Sequence, residues 1–592
     1  MAKTTDLNST LGTDRVLWNL SDLYRGEDDP ALEKDIIFCR EEAEAIHATH
    51  SKTVAELDNK HLFELVRRLE QLDERLTKLA TFSFLNFITR IDNEVAGALD
   101  QKIHELYSFC SARTVFFELE WNNLGDSHVE KLLSSPLLAP YSHYLRTMRK
   151  FRPHQLSEKE EKLLLEKEVV GRNSWTTLFE KIFAHQKFGE QGRTEEEVLT
   201  DLYHEKRTVR KQAATDMTLG LKDQSHLLCH IFNTLAADKM ITDRLRGFES
   251  WLSAMNLSNQ LKDSTVETLI KTVVSRYDIV RRYYTIKGDL LGLDRLRDYD
   301  RYAPLPSLPT RQIGWDECRS TVLDSFETFS PEMAEIAEQF FMKNWIHAPV
   351  SSSKRGGAFA HPCVPEVHPY ILVNYTGNLR DVSTVAHELG HGIHQVLAAR
   401  QGHFNSDTPL PLAETASVFA ELLVFNSQLD LIDDKKEQRA FICQKLESIF
   451  ATVFRQTAMN RFEQLMHESR RQEGEISNEK FNSFWLSTQR EMFGDSVELG
   501  EDYGIWWSYI PHFLSTPGYV YSYAFGELLV LALYGLYLKE GQPFVKKYLT
   551  LLEAGGSASP YELLQPFGID LNDAKFWQTG LGVIEEMLAR IE

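Results

Sequence analysis

The segment His387-Glu-Leu-Gly-His391 constrains this chain more than any other part of its sequence. Residues i and i+4 of an α-helix lie on one face, so His387 and His391 can direct imidazole nitrogens to a single point. Two imidazoles that converge in this way are a common basis for a Zn²⁺ site. Glu388 follows the first histidine and can reach a water molecule beside such a metal. The pattern predicts two metal ligands, a general base and hydrolysis of an amide bond.

The sequence on both sides of this segment indicates a packed helix. Asp381 or Ser383 is the expected N-cap, and neither Pro nor Gly follows until Gly390. After the motif, Ile393 and Leu397 continue an apolar face at helical spacing. Glycine is costly in an exposed helix, so Gly390 suggests the close approach of a neighbouring element or a substrate. The alternative is an ordinary buried helix in which the two histidines are only core residues.

A catalytic zinc site needs a third protein ligand, and Glu414 is the best candidate. Leu397 stands where metzincins have a third histidine, which excludes that arrangement. Two prolines precede a helix expected over residues 413–429, and Glu414 lies near its start among apolar residues. An unpaired carboxylate is costly there unless it is paired or bound to metal. The sequence therefore predicts one Zn²⁺ per chain, held by His387, His391 and Glu414.

Other polar residues near the motif are expected to play supporting parts. Glu421, two helical turns beyond Glu414, is either an acceptor that orients His387 or His391, or a surface carboxylate in a salt bridge. His394 turns partly away from the face of the two motif histidines and is predicted either to pack or to support a metal ligand. Three further residues are treated as local packing or hydrogen-bonding groups: His361, Cys363 and His368.

Four separated segments carry a family resemblance: Trp18–Tyr24, Tyr302–Leu305, His368–His391 and Tyr519–Ala524. They resemble segments of the M3 metallopeptidases, and within that family the oligoendopeptidase F group. The resemblance covers nearly the whole chain, and its core segment is highly specific. It implies zinc held by the two motif histidines and Glu414, with Glu388 as base. It also implies a mostly α, helical zincin-type (gluzincin) fold, with a small β element beside the active-site helix and a deep substrate channel.

The C-terminal segment offers candidate hydrogen-bond donors for a transition state. Pro517-Gly518 marks a turn before a helix, on which Tyr519 and Tyr523 share a face while Tyr521 points elsewhere. Negative charge that develops on a carbonyl oxygen is stabilised by preorganised O–H or N–H donors. His512 with Tyr523 or Tyr519 fits that role, and the resemblance implies such a set. The alternative is an aromatic stripe that only packs.

Composition excludes several other classes of protein. The 592 residues include 86 acidic and 65 basic side chains, and the net charge of −21 argues against nucleic-acid or anionic-membrane binding. Six scattered cysteines without a Cys-x-x-Cys pair favour a reducing compartment. The N-terminus lacks an apolar leader, and no uninterrupted apolar run reaches membrane-spanning length. A cytoplasmic enzyme is expected, while the sequence leaves its oligomeric state open.

Helical patterns dominate the chain. A row of leucines from Leu62 to Leu79 predicts one long amphipathic helix. The turn-rich stretch 187–195 is the expected boundary between an N-terminal helical domain, residues 1–190, and a catalytic domain, residues 191–592. Residues 356–361 and 370–377 are the most strand-like runs. They are expected either to pair with an extended peptide substrate or to form a small structural hairpin.

The predicted activity is that of a zinc-dependent oligoendopeptidase. It would hydrolyse internal bonds of short peptides through a metal-activated water, with Glu388 as general base. A related helical zinc peptidase that trims residues from the C-terminus of its substrate is one alternative. A non-catalytic peptide-binding protein is another, although the intact Glu388 argues against it.

Overall fold

The structure is a computed structural model that describes residues 2–306 and 311–592, and helices dominate it. The α-helices are α1 (Ala2–Leu11), α2 (Pro30–His50), α3 (Asn59–Ile88), α4 (Glu94–Thr114), α5 (Phe116–Asn123), α6 (Asp126–Leu133), α7 (Ser142–Arg149), α8 (Glu158–Glu168), α9 (Arg172–His185), α10 (Glu195–Asp201), α11 (Arg207–Asp223), α12 (Ser225–Arg246), α13 (Ser253–Ser258), α14 (Asp263–Val274), α15 (Tyr277–Leu291), α16 (Trp315–Phe329), α17 (Pro331–Met342), α18 (Leu379–Ala398), α19 (His403–Ser406), α20 (Leu410–Asp430), α21 (Lys435–Thr452), α22 (Phe454–Glu473), α23 (Asn478–Phe493), α24 (His512–Ser515), α25 (Tyr521–Glu540), α26 (Gln542–Glu553), α27 (Pro560–Leu564) and α28 (Ala574–Ala589). The strands are β1 (Leu296–Arg297), β2 (Ile346–His347), β3 (Phe359–His361), β4 (Tyr370–Leu372) and β5 (Val497–Glu498). The predicted mostly α fold is confirmed.

The chain forms two compact units, and each is assembled from separate stretches of sequence. The first unit comprises Met1–Arg152, Thr310–Leu431 and Leu536–Ile569. The second comprises Pro153–Pro309, Ile432–Gly535 and Asp570–Glu592. The predicted division of the chain into residues 1–190 and 191–592 stays a prediction.

In the first unit, α3 packs against α2 and α4 through the predicted leucine face. The carboxylate of Asp58 caps the helix by accepting from the backbone N–H groups of Lys60 and His61. Leu62, Leu65, Val66, Leu69, Leu72, Leu76 and Leu79 are all buried. Since these positions recur every three or four residues, one side of α3 is apolar along its length, and the predicted amphipathic helix is confirmed.

The first unit also contains a three-stranded sheet, with the order β2-β4-β3. Strand β2 is parallel to β4, and β3 is antiparallel to it with Ala360 opposite Ile371. Both β3 and β4 lie against α18. The two runs that the sequence marked as strand-like therefore pair with each other beside the helix that carries the His-Glu-x-x-His motif.

The second unit packs α12, α22 and α23 around aromatic side chains. Trp507 lies at its centre, with its ring centroid 4.7 Å from that of Phe232 and 4.5 Å from that of Phe481. The indole N–H of Trp507 donates to Asn482 over 2.9 Å, so the buried ring keeps a hydrogen-bond partner. Strands β1 and β5 form a short parallel pair in this unit.

Among the described residues, α25 alone is long and apolar enough to cross a membrane by length and composition. About two thirds of its most apolar window, 67%, is buried inside the protein. Glu527 interrupts the apolar run in the middle of the helix. A buried core helix has these same properties.

Candidate metal centre

The motif helix α18 begins earlier than the sequence indicated. Asn378 is its N-cap, and the side-chain oxygen of Asn378 accepts from the backbone N–H of Asp381 over 3.0 Å. The prediction that Asp381 or Ser383 caps the helix is wrong, because Asp381 lies one turn inside. Its carboxylate completes a capping box by accepting from the backbone N–H of Asn378 over 3.4 Å, and it also accepts from that of Thr376 over 2.7 Å. This capping box fixes the start of the helix two turns before the motif.

Gly390 brings α18 and α20 into direct backbone contact. A Cβ atom at residue 390 would lie 2.5 Å from the carbonyl oxygen of Ala416 and 2.6 Å from the Cα of Ser417. No side chain fits in that space, so only glycine allows the two helices to approach so closely. Helix α20 starts after Pro409 and carries Glu414 in its first two turns, as predicted. The close packing sets Glu414 opposite the motif histidines.

The three candidate ligands converge on one point. The Nε2 atoms of His387 and His391 lie 3.4 and 3.5 Å from the same carboxylate oxygen, Oε2 of Glu414. One ligand atom from each residue falls within 4.8 Å of the other two, and all three side chains are half-buried. The hydroxyl of Ser417 donates to the same Oε2 over 2.6 Å. The role of Ser417 was not predicted from the sequence, although residues three apart on one helix, such as Glu414 and Ser417, are expected to be neighbours.

Glu421 contacts the opposite side of the first histidine. Its Oε2 lies 3.4 Å from Nδ1 of His387, which is one of the two predicted places for this carboxylate. An acceptor at Nδ1 favours the tautomer that has a proton on Nδ1 and a lone pair on Nε2. The nitrogen that faces Glu414 is therefore the one left available for a metal.

The charges of this cluster are unevenly distributed. Burial alone would lower the pKa of His387, but the hydrogen bond to Glu421 and the carboxylates of Glu414 and Glu388 raise it to about 9. Burial lowers the pKa of His391 to about 4, so its imidazole is neutral. Without a metal, His387 therefore carries a second proton, which offsets part of the negative charge of three carboxylates and which a metal ion at Nε2 would displace. A divalent cation between the same groups would offset it too.

Glu388 is buried beside the sheet. Burial raises the pKa of its carboxyl group to about 7, while His387 and a hydrogen bond from the backbone N–H of Ala360 lower it. Ala360 lies in β3 opposite Ile371, whose own N–H donates to Trp345 in the direction of β2. The main-chain groups of Ala360 therefore point to the outer edge of β3, where they meet Glu388. This contact could not be read from the sequence.

Other polar residues near α18 make local contacts. Nε2 of His394 lies 3.3 Å from the hydroxyl of Thr408, and burial lowers the pKa of this histidine to about 3. His368 stacks on Trp345 with ring centroids 3.8 Å apart. His361 lies 2.6 Å, through Nδ1, from the carbonyl oxygen of Pro362. These three histidines lie outside the cluster of His387, His391 and Glu414.

The predicted C-terminal residues converge in the second unit. The hydroxyl of Tyr523 lies 3.3 Å from Nε2 of His512, and the ring of Tyr519 stands 5.0 Å from that of Tyr523. The expectation that Tyr519 belongs to the helix is wrong, since α25 begins at Tyr521. The turn before it is held by the buried carboxylate of Glu463, which accepts from the Gly518 N–H over 2.9 Å. Tyr521 points elsewhere, as predicted, and its hydroxyl accepts from Asn259.

Comparison with known sequences places the chain in a family. Residues 201–583 match the sequence profile described as Peptidase family M3, and residues 120–188 match that of Oligopeptidase F. Oligopeptidase PepF of Bacillus subtilis is 28% identical over 588 residues, covering 97% of this chain and 86% of its own. Group B oligopeptidase PepB of Streptococcus agalactiae is 26% identical and covers 90% of both chains.

Solved structures show the same fold. A protein from Chlamydophila abortus superposes with a TM-score of 0.86 at 25% identity, covering 97% of this chain and 98% of its own. Oligoendopeptidase-F from Enterococcus faecium gives a TM-score of 0.73 at 21% identity, with 94% of this chain and 98% of its own covered. The chain therefore belongs to peptidase family M3, and it is a metalloendopeptidase.

Proposed function

We propose that this chain is a zinc-dependent oligoendopeptidase, which hydrolyses internal peptide bonds of short peptides. The observation that carries the proposal is the convergence of two imidazole nitrogens on one oxygen of Glu414, at 3.4 and 3.5 Å. The substrate class follows from the relatives, whose names describe oligopeptidases and oligoendopeptidases.

The side chains of the candidate centre fit zinc rather than a harder cation. Two imidazole nitrogens and one carboxylate oxygen make a three-residue donor set that is common in catalytic zinc sites and leaves one position open. Calcium and magnesium sites are built mainly from oxygen ligands. The contacts of Glu421 with His387 and of Ser417 with Glu414 orient both kinds of donor. We therefore assign His387, His391 and Glu414 as the ligands of one zinc ion.

Glu388 is assigned as the general base. A bound Zn²⁺ supplies Lewis-acid chemistry, which lowers the pKa of water and polarises a carbonyl group. Glu388 accepts the proton of the attacking water and then delivers it to the leaving amine. Its carboxylate is buried, which keeps bulk water away, and it interacts with the N–H of Ala360. A base fixed in this way needs little reorganisation during proton transfer.

The donors of the second unit are assigned to the developing oxyanion. His512, Tyr519 and Tyr523 form a compact group, with the imidazole of His512 3.3 Å from the hydroxyl of Tyr523. Their N–H and O–H groups can donate to an oxygen that gains negative charge, which lowers the barrier to attack on the carbonyl.

Strand β3 is assigned as the strand that binds the main chain of the substrate. Among the described residues, β3 pairs only with β4, and the carbonyl group of Ala360, whose N–H meets Glu388, points to its other edge. Main-chain hydrogen bonds at such an edge bind an extended peptide with little regard to its side chains. An oligopeptidase that cleaves many sequences needs this kind of recognition.

A reducing compartment suits this chain, and we propose that it is the cytoplasm. All six cysteines are free, and four of them are buried. Buried thiols that form no disulfide are expected where the surroundings keep cysteine reduced.

Metal analysis combined with a cleavage assay tests the proposal. The purified protein should contain about one zinc ion per chain, and it should cut a short peptide that is blocked at both ends. Removal of the metal with a chelator should abolish cleavage, and added Zn²⁺ should restore it. Glu414→Ala should lower the zinc content while the helical circular dichroism signal is kept. Undiminished cleavage by the metal-free protein would contradict the proposal.

A further inference from the structure

A cavity of about 710 Å³ opens beside the candidate metal centre. Every residue that lines it belongs to the first unit. His391 and Ala413, the residue before Glu414, form part of one wall. Helices α3, α4, α5 and α7 supply much of the remainder. Its volume lies within the range of about 300–1,000 Å³ that is typical of ligand pockets. The space can therefore hold a few residues of a peptide, and it begins at a proposed zinc ligand.

Part of the cavity wall is apolar. Leu69, Leu72 and Leu76 face it from α3, and the rings of Tyr144 and Phe404, which stack on each other with centroids 4.3 Å apart, form another part of the wall. A wall of this kind favours aliphatic or aromatic groups. The methylene stem of a Lys or Arg side chain is one such group, because it packs on apolar surface while its charged head reaches a polar partner.

The wall carries three carboxyl groups beside four imidazoles. None of the described residues that line the cavity is Lys or Arg. The three acidic residues among them are Asp73, Glu118 and Asp407. Oδ2 of Asp73 lies 2.7 Å from Nε2 of His403, another lining residue. Burial is the main reason for the raised pKa of Tyr144, and the next contributions come from Asp73 and Glu118. These two carboxylates therefore both act on the ring that forms the aromatic wall.

Asp407 has a carboxylate that is poorly compensated by its surroundings. It makes no hydrogen bond or ion pair with any residue that the structure describes. Asp407 is exposed, yet the neighbouring protein desolvates its carboxyl group and raises its pKa against the lowering effect of His403. A cation that entered the cavity would stabilise the ionised carboxylate.

We propose that this cavity is the substrate subsite next to the scissile bond, where Asp73 and Asp407 select a Lys or Arg side chain. The inference rests on the proposed peptidase function and adds a specificity to it. The stem of the basic residue lies along the leucines of α3 and the two stacked rings, and its charged head meets the two carboxylates. The peptide thus places a basic residue at one fixed position relative to the bond that is cut.

Paired peptides test the specificity. Each pair is blocked at both ends and differs at one position, which carries either lysine or norleucine, a neutral side chain of similar length. The position is moved along the peptide on both sides of the cleaved bond. The wild-type enzyme should show a higher kcat/KM for the lysine peptide at one position only. Asp73→Asn and Asp407→Asn should each lower this lysine preference by up to about fivefold, the scale of a partly exposed ion pair.

A surface variant of the same unit serves as the matched control. Glu335 lies exposed on α17 and does not line the cavity, so Glu335→Gln should leave the preference for lysine as it is in the wild-type enzyme. If the loss of the His403 contact impairs the folding of Asp73→Asn, Asp407→Asn still tests the subsite, because its carboxylate makes no hydrogen bond or ion pair with a described residue.

Binding provides a second readout that does not depend on turnover. In the Glu388→Gln background, fluorescence anisotropy should show tighter binding of the lysine peptide than of the norleucine peptide. Asp407→Asn should reduce that difference. If the wild-type enzyme prefers lysine and neither Asp variant changes that preference, the proposed subsite is wrong while the peptidase function stands. A preference for norleucine at every position would overturn it as well, whereas a protein that neither binds zinc nor cleaves any peptide would contradict the proposed function itself.

Discussion

Oε2 of Glu421 lies 3.4 Å from Nδ1 of His387, although Glu421 stands two helical turns beyond Glu414 on α20. An acceptor at Nδ1 orients the ring and makes Nε2 a better donor to metal, and loss of such contacts typically weakens metal binding about 10- to 100-fold. Glu421→Ala should therefore bind zinc less tightly, as measured by competition with a chelator. Asp430→Asn, an exposed carboxylate change on the same helix, should have no effect. Equal zinc affinities for Glu421→Ala and the wild type would remove Glu421 from the site.

Glu388→Gln should separate metal binding from catalysis. The amide keeps the size of the side chain, and Glu388 is not one of the three converging ligands, so the zinc content should stay at the wild-type level. Without a base, kcat should fall by roughly 10²- to 10⁴-fold. Atomic absorption and a peptide cleavage assay on the same preparation provide both numbers. Wild-type kcat in this variant would reject the proposed role of Glu388.

Gly390→Ala should destabilise the protein. The new methyl group would lie 2.5 Å from the carbonyl oxygen of Ala416, a backbone atom that cannot move aside alone. Overpacking of this kind costs about 1–3 kcal/mol, which denaturant unfolding measures.

Gly582→Ala is the matched control for that change. It is also a glycine-to-alanine change within a helix, but a Cβ there has no atom within 4 Å. It should leave stability unchanged or raise it by up to about 1 kcal/mol, because alanine is the better helix former. A Gly390→Ala protein as stable as the wild type would show that α18 and α20 can separate without cost.

Tyr523→Phe should slow catalysis with little effect on stability. It removes the hydroxyl that lies 3.3 Å from His512, and loss of one donor to an oxyanion costs about 10²-fold or more in kcat. Tyr521→Phe, two residues away, should behave in the opposite way. Its hydroxyl accepts from the buried amide of Asn259, so the change should cost about 1–3 kcal/mol of stability and spare kcat. Steady-state kinetics and thermal unfolding of both variants distinguish the two outcomes.

Local patterns predicted the elements that local physics controls. The leucine row of α3 follows from helical periodicity, and the strands at residues 359–361 and 370–372 follow from their composition, which left open whether they pair with each other or with a substrate. Glu414 was identified because a carboxylate among apolar residues needs a partner, and the structure sets it opposite both motif histidines.

Contacts between distant parts of the chain could not be predicted in this way. The acidic cavity brings Asp73 of α3 beside His403, which lies 330 residues further along the sequence. The N–H of Ala360 reaches Glu388 only because the sheet lies against α18. The prediction that Tyr519 belongs to a helix was wrong even though it is local, because this residue lies in the turn before α25. Tertiary packing, which a single sequence does not reveal, decides such positions.

The interaction of the Ala360 N–H with the carboxylate of Glu388 links two requirements of the proposed enzyme to a single strand residue. In the proposed enzyme, the same strand that aligns the backbone of the substrate also sets the position of the proton acceptor. A shift of β3 by one residue would therefore misplace both at once, and it would reduce turnover at the normal bond before it created a new cleavage position. The accuracy with which the enzyme selects the bond to be cut therefore depends on how firmly β3 is held in place rather than on the metal.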